Sequence, residues 1–338
     1  MRIMEGMRFV YKMVRINVID AGHGDCLLVE CGTTLILIDA GPESFLIRRN
    51  MIKSLKKVLR GRDIDLAIVT HDDDDHIGGF IEIIDDDDIR INRYLFNNLD
   101  YLGKIFRQNN GKKISYRQSE DLLVKLIEKG IEIDTALYEK HKGNNITISG
   151  VSITPITPTI NSLQSLSNKY FKHKISRKKE LNIDECRRLV ESGIDKFKPD
   201  SSITNKASLS FIIEFDDFRG LFLADAHERD VVNYFNIENV SKKFSVVKLS
   251  HHGSEKNTST NLLNLLDSND YIICADKSHH NHPNNMTLAR LFYNKPYSRI
   301  YFSSSNERMH NIKKYIDELN LHNHVEYSVE GVNRLSYE

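Results

Sequence analysis

The chain of 338 residues is long enough for one large domain or two ordinary ones, and its apolar fraction of 40% suits a folded core. Its 47 Lys and Arg balance its 47 Asp and Glu, so the net charge excludes a strongly basic nucleic-acid binder and leaves only local patches. There is no run of roughly 18 apolar residues for a membrane span and no signal-peptide core. We therefore expect a cytoplasmic protein with no membrane partner.

Four cysteines are scattered along the chain: Cys26, Cys31, Cys186 and Cys274. None forms the C-x-x-C pair that is typical of a structural zinc site or a redox dithiol. We expect four free thiols in a reducing compartment, which agrees with a cytoplasmic location.

Short apolar runs bounded by turn residues recur in the first half of the chain. The runs "VRINVI", "CLLVE" and "TLILID" predict a β-meander, and "ESFLIRRNMIKSLKKVLRGRD" predicts a helix that ends at Gly61. "DLAIVT" predicts a buried strand that runs directly into an acidic stretch. After it, "INRYLFNN" predicts a strand, "SEDLLVKLIEKG" a helix and "GNNITISGVSITPI" a hairpin.

A polar segment from about 160 to 204 has weak periodicity, so we expect a flexible basic insertion there. Beyond it, "ASLSFIIEFDDFRGLFLADA" predicts a hairpin, and strands such as "FSVVKLS" and "DYIICA" alternate with helices such as "NNMTLARLFYN". This order predicts two mixed sheets packed face to face with helices outside. The predicted fold class is α+β, a four-layer αββα sandwich that forms a single domain over residues 1–338.

The stretch "VTHDDDDHIGG" places four consecutive carboxylates between two histidines at a strand end. Alternate side chains on a tight turn converge, which groups His71 with Asp73 and Asp75 with His76. Two divalent ions about 3.5–4 Å apart are a common device for activating water. This interpretation leaves two carboxylates pointing outward, Asp72 and Asp74. The alternative is a solvated acidic turn, or a helix start where Asp favours the positive end of the helix dipole.

Three other predicted strands also end in side chains that bind metals. "TLILIDAG" ends in Asp39, "GLFLADA" in Asp225, and "SVVKLSHHGS" in His251 and His252. Side chains at strand ends are held by a rigid sheet and exposed at its edge. Four such endings in one chain favour a metal centre.

These motifs resemble those of the metallo-β-lactamase superfamily, whose second motif is His-x-His-x-Asp-His after a strand. Here the motif is His71-x-Asp73-x-Asp75-His76, with aspartate in place of the second histidine. With "DAGHGDCLLVE" before it and "HHGS" and "HP" after it, the pattern is similar to the hydrolase domain of the ComEC competence proteins. The resemblance extends from about residue 14 to 302, except near 81–145 and 160–204.

The resemblance implies two divalent metal ions, zinc or manganese, since an oxygen-rich ligand set shifts preference away from zinc. The first ion would be bound by His71 and Asp73. The second would be bound by Asp75 and His76, with Asp225 bridging the two ions. The full set of implied metal ligands is His71, Asp73, Asp75, His76, Asp225 and His251.

Some positions stay open under the resemblance. His251 is favoured to complete the second site because it directly follows the strand, and His252 is the alternative. Asp39 would orient a ligand histidine from behind. The histidine of the family's third motif is missing from "NKASLSF", so either Asn205 or Ser208 replaces it or the first ion binds weakly.

Histidines in two loops are further candidates. His23 in the glycine-rich turn "DAGHGD" is either part of the turn or a substrate contact. By resemblance His282, in "KSHHNHP", touches a phosphate or the leaving group, and it is the predicted catalytic partner of Asp75. His279 and His280 are expected to be ordinary loop residues.

A water activated by two metal ions needs no side-chain nucleophile, so the predicted reaction is hydrolysis. The predicted substrate is a phosphodiester in DNA or another nucleic acid. Besides the resemblance, this rests on a basic stretch in which Tyr170 and Phe171 offer stacking surfaces. Its basic residues are Lys169, Lys172, Lys174, Arg177, Lys178 and Lys179. A solvated insertion explains the same stretch equally well.

Two other functions remain open. The same fold supports hydrolysis of a small ester, lactone or phosphodiester, which an apolar lid in place of the basic stretch would favour. A catalytically degenerate protein that binds metal or a partner protein is the other alternative, and the missing third-motif histidine favours it. No particular protein partner is predicted.

Overall fold

The structure is a computed structural model that describes residues 12–98, 117–167 and 180–338. Within these residues the strands form two mixed sheets. The first has seven strands, in spatial order β15 (Val332–Tyr337), β1 (Val14–Ile19), β2 (Leu27–Cys31), β3 (Thr34–Ile38), β4 (Leu66–Val69), β5 (Arg93–Phe96) and β6 (Glu132–Asp134). The second has eight, in the order β14 (His324–Glu326), β13 (Arg299–Phe302), β12 (Asp270–Ile273), β11 (Val246–Lys248), β10 (Phe218–Phe222), β9 (Ser210–Phe215), β8 (Val151–Thr157) and β7 (Ile146–Ile148).

Helices connect these strands and cover the outer faces of the sheets. In chain order the described helices are α1 (Phe45–Leu59), α2 (Asp74–Ile77), α3 (Phe80–Asp85), α4 (Arg117–Glu128), α5 (Tyr138–His141), α6 (Ile160–Ser167), α7 (Ile183–Glu191), α8 (Ile203–Lys206), α9 (Glu228–Ile237), α10 (Thr260–Leu265), α11 (Asn285–Asn294) and α12 (Glu307–Glu318). None of them is long and apolar enough to cross a lipid bilayer.

The hydrophobic core lies in three layers. In β4, Leu66 and Ile68 face the second sheet in a central cluster, whereas Ala67 and Val69 pack against α1 and α3. The outer face of the second sheet packs in the same way against α9 to α12. Both faces of each sheet are therefore buried, which explains why β4 is a continuous apolar run. The predicted αββα sandwich is confirmed.

Each sheet has antiparallel pairing on one side and parallel pairing on the other. Strands β3, β4 and β5 are parallel to one another, and so are β10, β11, β12 and β13. The carboxyl ends of parallel strands meet at one edge of a sheet. The loops that follow β3, β4, β10 and β11 are therefore brought together, and these loops carry the candidate ligands.

The segment predicted to be a flexible insertion contains helices in its described parts, namely α6, α7 and the start of α8. Helix α7 begins with a capping box between Asn182 and Glu185, and its Cys186 and Val190 pack on Met286 and other residues of α11. Short helices separated by polar turns leave little periodicity, so they were missed. The basic stretch lies at 168–179, outside the described residues.

The last three elements, α12, β14 and β15, were not predicted from the sequence. Strand β15 pairs antiparallel with β1, from Val14 opposite Tyr337 to Ile19 opposite Val332. Its partner lies at the other end of the chain, so no local pattern signals the pairing. The four cysteines, predicted to be free thiols, are free and also buried.

Two loops of the candidate site touch through their backbones at Gly24. The N–H of Asp25 donates to the carbonyl oxygen of Asp75 at 3.0 Å. A Cβ atom on Gly24 would lie 2.2 Å from that oxygen and 2.9 Å from Pro42 Cδ. A side chain at this position therefore cannot be accommodated unless one of the loops moves.

We expect Gly24→Ala to lower the free energy of unfolding by about 1–3 kcal/mol, because the new methyl group overpacks against the backbone. Urea denaturation measures this. Gly61→Asn is the control. Gly61 has a left-handed φ of 76°, which Asn tolerates, and a Cβ atom added there would have no neighbouring atom within 4 Å. Unchanged stability of Gly24→Ala would contradict the close backbone contact.

Candidate metal centre

The acidic turn follows β4 and starts the short helix α2. Asp73 occupies the N-cap position, and its carbonyl oxygen accepts hydrogen bonds from the N–H groups of His76 and Ile77 at 3.0 and 3.1 Å. The chain therefore turns immediately after His71 instead of continuing as a strand. As a result, His71 and Asp73 face one point, and Asp75 and His76 face another.

Asp75, His76 and His252 form one group of candidate ligands, which we call the second site. His252 Nε2 lies 3.1 Å from Asp75 Oδ2 and 3.3 Å from His76 Nε2. Asp225 Oδ1 lies 3.3 Å from His76 Nε2 and 3.9 Å from His252 Nε2. Atoms that bind one ion at about 2.0–2.3 Å are about 3–4 Å apart, so these four side chains fit a single ion.

His71, Asp73 and His251 form the other group, the first site. His71 Nε2 lies 3.6 Å from Asp73 Oδ2 and 3.8 Å from Asp225 Oδ2. His251 Nε2 lies 3.7 Å from the same Asp225 oxygen. The buried His71 Nε2 has no hydrogen-bond partner among the described residues, so a bound cation would satisfy it.

Asp225 faces both groups, with Oδ2 toward the first site and Oδ1 toward the second. It follows β10, on the sheet opposite the acidic turn, and its side chain is buried. The preceding residue, Ala224, has a left-handed φ of 44°. A backbone held in this conformation costs about 1–3 kcal/mol and is common at functional sites. Asp225 lies where the sequence analysis put the bridging carboxylate.

The preference for His251 at the second site differs from the structure, which places His252 there and His251 at the first site. Both residues have left-handed backbones, with φ of 49° and 54°, in a 3-10 turn. Their rings are 71° apart in orientation. Because the chain has left the strand at this turn, the order of the two histidines along it does not decide which site each one meets.

The ring nitrogens of the second site are arranged to receive a cation. His76 Nδ1 lies 2.7 Å from Asp39 Oδ2, and His252 Nδ1 lies 2.9 Å from the Cys274 carbonyl oxygen. These partners accept hydrogen bonds, so each Nδ1 carries the proton of the neutral ring. Each Nε2 is then the atom that faces the centre of the site, where it can hold a proton or bind a metal ion.

The surrounding carboxylates strongly favour positive charge at these rings. Burial disfavours a charged His252, but Asp225, Asp25 and Asp75 outweigh it and raise the pKa of His252 to about 10. The pKa of His76 is also raised well above its usual value, because nearby carboxylates outweigh its burial. A pocket with this electrostatic potential suits divalent ions.

Asp39 lies behind the second site, where the resemblance put it. Its carboxylate accepts hydrogen bonds from the Thr70 N–H at 2.9 Å and the Thr70 hydroxyl at 2.7 Å, besides contacting His76. Asp39 also has a left-handed φ of 56°. The three contacts fix the orientation of the His76 ring, which is the usual role of a carboxylate behind a metal-binding histidine.

An ion pair between Lys248 and Asp25, behind the second site, was missed in the sequence analysis. Lys248 Nζ contacts Asp25 Oδ2 and donates to the Ala224 carbonyl oxygen at 3.3 Å, and both charged side chains are buried. Asp25 Oδ1 lies 3.0 Å from His252 Nδ1. The only signal was a lysine at the end of the apolar run "SVVKLS", since a lysine inside a sheet needs a buried partner.

The two proposed replacements for the missing histidine occupy different places. Asn205 Nδ2 lies 3.1 Å from His251 Nδ1, so Asn205 contacts the far side of that ring. Ser208 is fully buried, and its hydroxyl has no hydrogen-bond partner among the described residues. At the first site His251 occupies the position that remained unfilled in the sequence analysis.

A row of histidine rings leads from the first site to the surface. His282 is buried, with its ring 4.9 Å from that of His251. His280 lies 5.8 Å from His282, and His279 stacks on His23 at 4.9 Å. His282 thus lies at the candidate site, and His23 lies on its rim.

Asp72 does not point outward, which corrects the prediction. It is buried against Ser119 of α4, and burial raises its pKa to about 6. Asp74 is exposed, as predicted, and accepts hydrogen bonds from the Glu43 N–H at 3.1 Å and from Gln118 Nε2 at 2.6 Å. Helix α4 covers one side of the acidic turn, a contact that the local sequence does not reveal.

A family model described as the metallo-beta-lactamase superfamily matches residues 19–92, from β1 to just before β5. Solved structures with a similar fold include the metallo-beta-lactamase fold protein YhfI from Bacillus subtilis, with 10% identity over 96% of this chain and 100% of that chain and a TM-score of 0.48. Igni18, a metallo hydrolase from Ignicoccus hospitalis, has 14% identity over 96% and 99%, with a TM-score of 0.44.

Zn(2+)-bound PqqB from Methylobacterium extorquens has 9% identity over 96% of this chain and 99% of that chain, with a TM-score of 0.45. No curated protein matches the sequence. The chain has the metallo-β-lactamase fold, with its two mixed sheets and outer helices. Identities this low indicate no substrate.

We expect Lys248→Met to lower the free energy of unfolding by about 3–5 kcal/mol, because Asp25 is left as an unpaired buried charge. In Lys248→Met/Asp25→Asn both charges are gone, so most of this loss should be regained. Urea denaturation of the single and double variants measures both changes. A double variant no more stable than the single one would show that the two charges are not coupled.

Proposed function

We propose that this chain is a metal-dependent hydrolase of phosphodiesters, with nucleic acid as its substrate. The observation that carries the proposal is the position of Asp225, which turns one carboxylate oxygen to each of two groups of His and Asp side chains. The first ion would be held by His71, Asp73, His251 and Asp225. The second would be held by Asp75, His76, His252 and Asp225.

The donor set supports hydrolysis by water. Bound at these positions, a pair of divalent ions lowers the pKa of a bound water toward neutrality and polarises the scissile group. Carboxylates supply three of the seven side chains in the two sites, a mixture that suits manganese as well as zinc. No side-chain nucleophile is then needed.

The open edge of the site supports a role for Asp75 in orienting water. The side chains of Asp73, Asp75 and His251 are 39%, 24% and 22% exposed, whereas those of His71, His76 and His252 are at most 3% exposed. A substrate therefore approaches from the side of the three exposed ligands. Although burial raises the pKa of Asp75, His252 and His76 outweigh it and hold that pKa well below its usual range, so the carboxylate stays ionised and accepts a hydrogen bond from water entering there.

His282 is suited to donating a hydrogen bond. Burial, together with His251 and His252, holds the pKa of His282 well below its usual value. A neutral imidazole at this place stabilises a developing oxyanion through its N–H, and this role fits better than that of a protonated acid. We therefore assign His282 to the leaving or non-bridging oxygen of the phosphodiester.

Support for a nucleic-acid substrate comes from the sequence. The motifs resemble those of ComEC-type hydrolase domains, and the basic stretch at 168–179 combines cationic and aromatic residues, although it lies outside the described residues. Against a degenerate protein, all the candidate ligands converge with their ring nitrogens and carboxylates facing one another. Decay of an active site does not preserve such an arrangement.

We expect metal-stripped protein to leave labelled single- and double-stranded DNA intact, and expect added manganese or zinc to restore cleavage. Asp75→Asn/His76→Ala should lower the rate by about 100-fold or more, since it removes two ligands of one ion. Product lengths on a denaturing gel give the rates.

Asp74→Asn is the matched control, because Asp74 is the exposed neighbour of Asp75 on the same turn. It should retain most of the wild-type rate. Metal binding without cleavage of either DNA would reject nucleic acid as the substrate and favour a small phosphodiester, ester or lactone. Absence of metal binding would reject the hydrolase itself.

A further inference from the structure

The Nδ1 atom of His251 lies in a cradle of polar side chains that no known motif assigns. Asn257 Oδ1 and Asn205 Nδ2 each lie 3.1 Å from it, and Asp200 Oδ2 lies 3.5 Å from it. Asp200 lies near the end of the segment, about 160 to 204, that the sequence predicted to be a flexible insertion. The cradle is therefore built partly from a segment outside the two sheets.

The carboxylate of Asp200 helps to orient the two neighbouring amides. Its Oδ2 accepts hydrogen bonds from Asn205 Nδ2 at 2.7 Å and from Asn257 Nδ2 at 3.3 Å. Asn257 Nδ2 also donates to the carbonyl oxygens of Asp225 and Ala226 at 3.3 and 3.2 Å. With its NH₂ group directed to these acceptors, Asn257 must turn its Oδ1 toward His251.

Two oxygens facing Nδ1 favour one tautomer of His251. Nδ1 faces the acceptors Asn257 Oδ1 at 3.1 Å and Asp200 Oδ2 at 3.5 Å, whereas the NH₂ group of Asn205, also 3.1 Å away, already donates to Asp200 Oδ2 at 2.7 Å. With the proton on Nδ1 and donated in a hydrogen bond to Asn257 Oδ1, Nε2 keeps its lone pair. Nε2 is the atom that faces Asp225 Oδ2 across 3.7 Å in the first site. Asp200 therefore contributes, directly and through Asn257, to the tautomer in which His251 can bind a metal ion.

The segment that carries Asp200 is held against the sandwich by Arg290 of α11. This buried guanidinium makes two hydrogen bonds to the Asp195 carboxylate, at 2.7 and 2.9 Å. It also donates to the carbonyl oxygens of Glu255 and Thr258, at 2.6 and 2.7 Å, which flank Asn257. Arg290 thus joins the segment of Asp200 to the loop of Asn257.

We propose that Asp200 is a positioning residue of the first site, and that the segment from 192 to 205 orients His251, which takes the place of the missing third-motif histidine. The proposal rests on the two-ion site of the proposed function. On this proposal His251 binds the first ion because its tautomer leaves Nε2 free to do so. The affinity for that ion then depends on a segment outside the sheets.

Asp200→Asn tests the proposal with almost no change in size. The new Oδ1 can still accept from the Ser202 N–H, which Asp200 Oδ1 does at 2.9 Å, so the local turn is kept. Its NH₂ group replaces an acceptor near His251 Nδ1 and faces the NH₂ groups of Asn205 and Asn257. Rotation of the Asn257 amide relieves this clash and turns its NH₂ group, in place of Oδ1, toward His251 Nδ1. His251 Nε2 would then carry the proton, which blocks metal binding.

We expect cobalt titration of metal-stripped protein, followed by visible absorption, to show two bound ions in the wild type. In Asp200→Asn one of them should bind about 10- to 100-fold more weakly, with the other unchanged. Nitrogen-15 NMR of the imidazoles should show the His251 tautomer reversed in the metal-stripped variant. Asp184→Asn, an exposed aspartate on α7 of the same segment, is the control and should match the wild type.

The outcomes separate this proposal from the proposed function. Two ions of unchanged affinity in Asp200→Asn, or an unchanged tautomer, would overturn the role of Asp200 and leave the hydrolase standing. A wild type that binds no cobalt would overturn both. Thermal unfolding of the metal-stripped proteins checks that Asp200→Asn is folded, and Asp195→Asn, which loosens the segment without changing the cradle, should weaken the same ion.

Discussion

Repulsion among carboxylates at the joined edges of two sheets is the constraint on which the rest of the structure depends. Asp73 and Asp75 follow a strand of one sheet, and Asp225 follows a strand of the other. Negative charges this close together in a poorly solvated space repel one another strongly unless cations or hydrogen-bond donors lie between them. The groups around them are accordingly donors or positive charges. Lys248 neutralises Asp25, imidazoles surround Asp225, and the backbone accepts left-handed conformations to bring these groups together.

The two sites meet this constraint with different supports. Behind the second site, Asp39 and the Lys248–Asp25 pair belong to the buried sheets, so the orientations of His76 and His252 are fixed by the core itself. The support of the first site comes from a surface segment clamped by one arginine. Local opening of a surface segment costs less free energy than opening of a core strand, so the support of the first site opens more easily than that of the second.

Much of the fold and half of the site could be predicted from the sequence, and the physical reason is the same for both. Buried strands are continuous apolar runs, so their ends, and hence His71, Asp75 and Asp225, are visible in the pattern. The sequence could not predict which site His251 and His252 each face, because this depends on a turn that points adjacent side chains in different directions. Burial of Asp72 and the roles of Asp25 and Asp200 depend on contacts between distant segments. Such contacts leave no periodic signal.

The aspartate at position 73, where the superfamily motif has histidine, is consistent with these electrostatics. Asp73 is the most exposed of the candidate ligands, at 39%, so water solvates part of its charge. A carboxylate at the buried position of His71 or His76 would lack that solvation. The added charge lies on the open side of the site. Under the proposed function, an anionic substrate would be repelled until both ions are bound, and the proposed dependence of the first site on Asp200 would then affect substrate binding as well as chemistry.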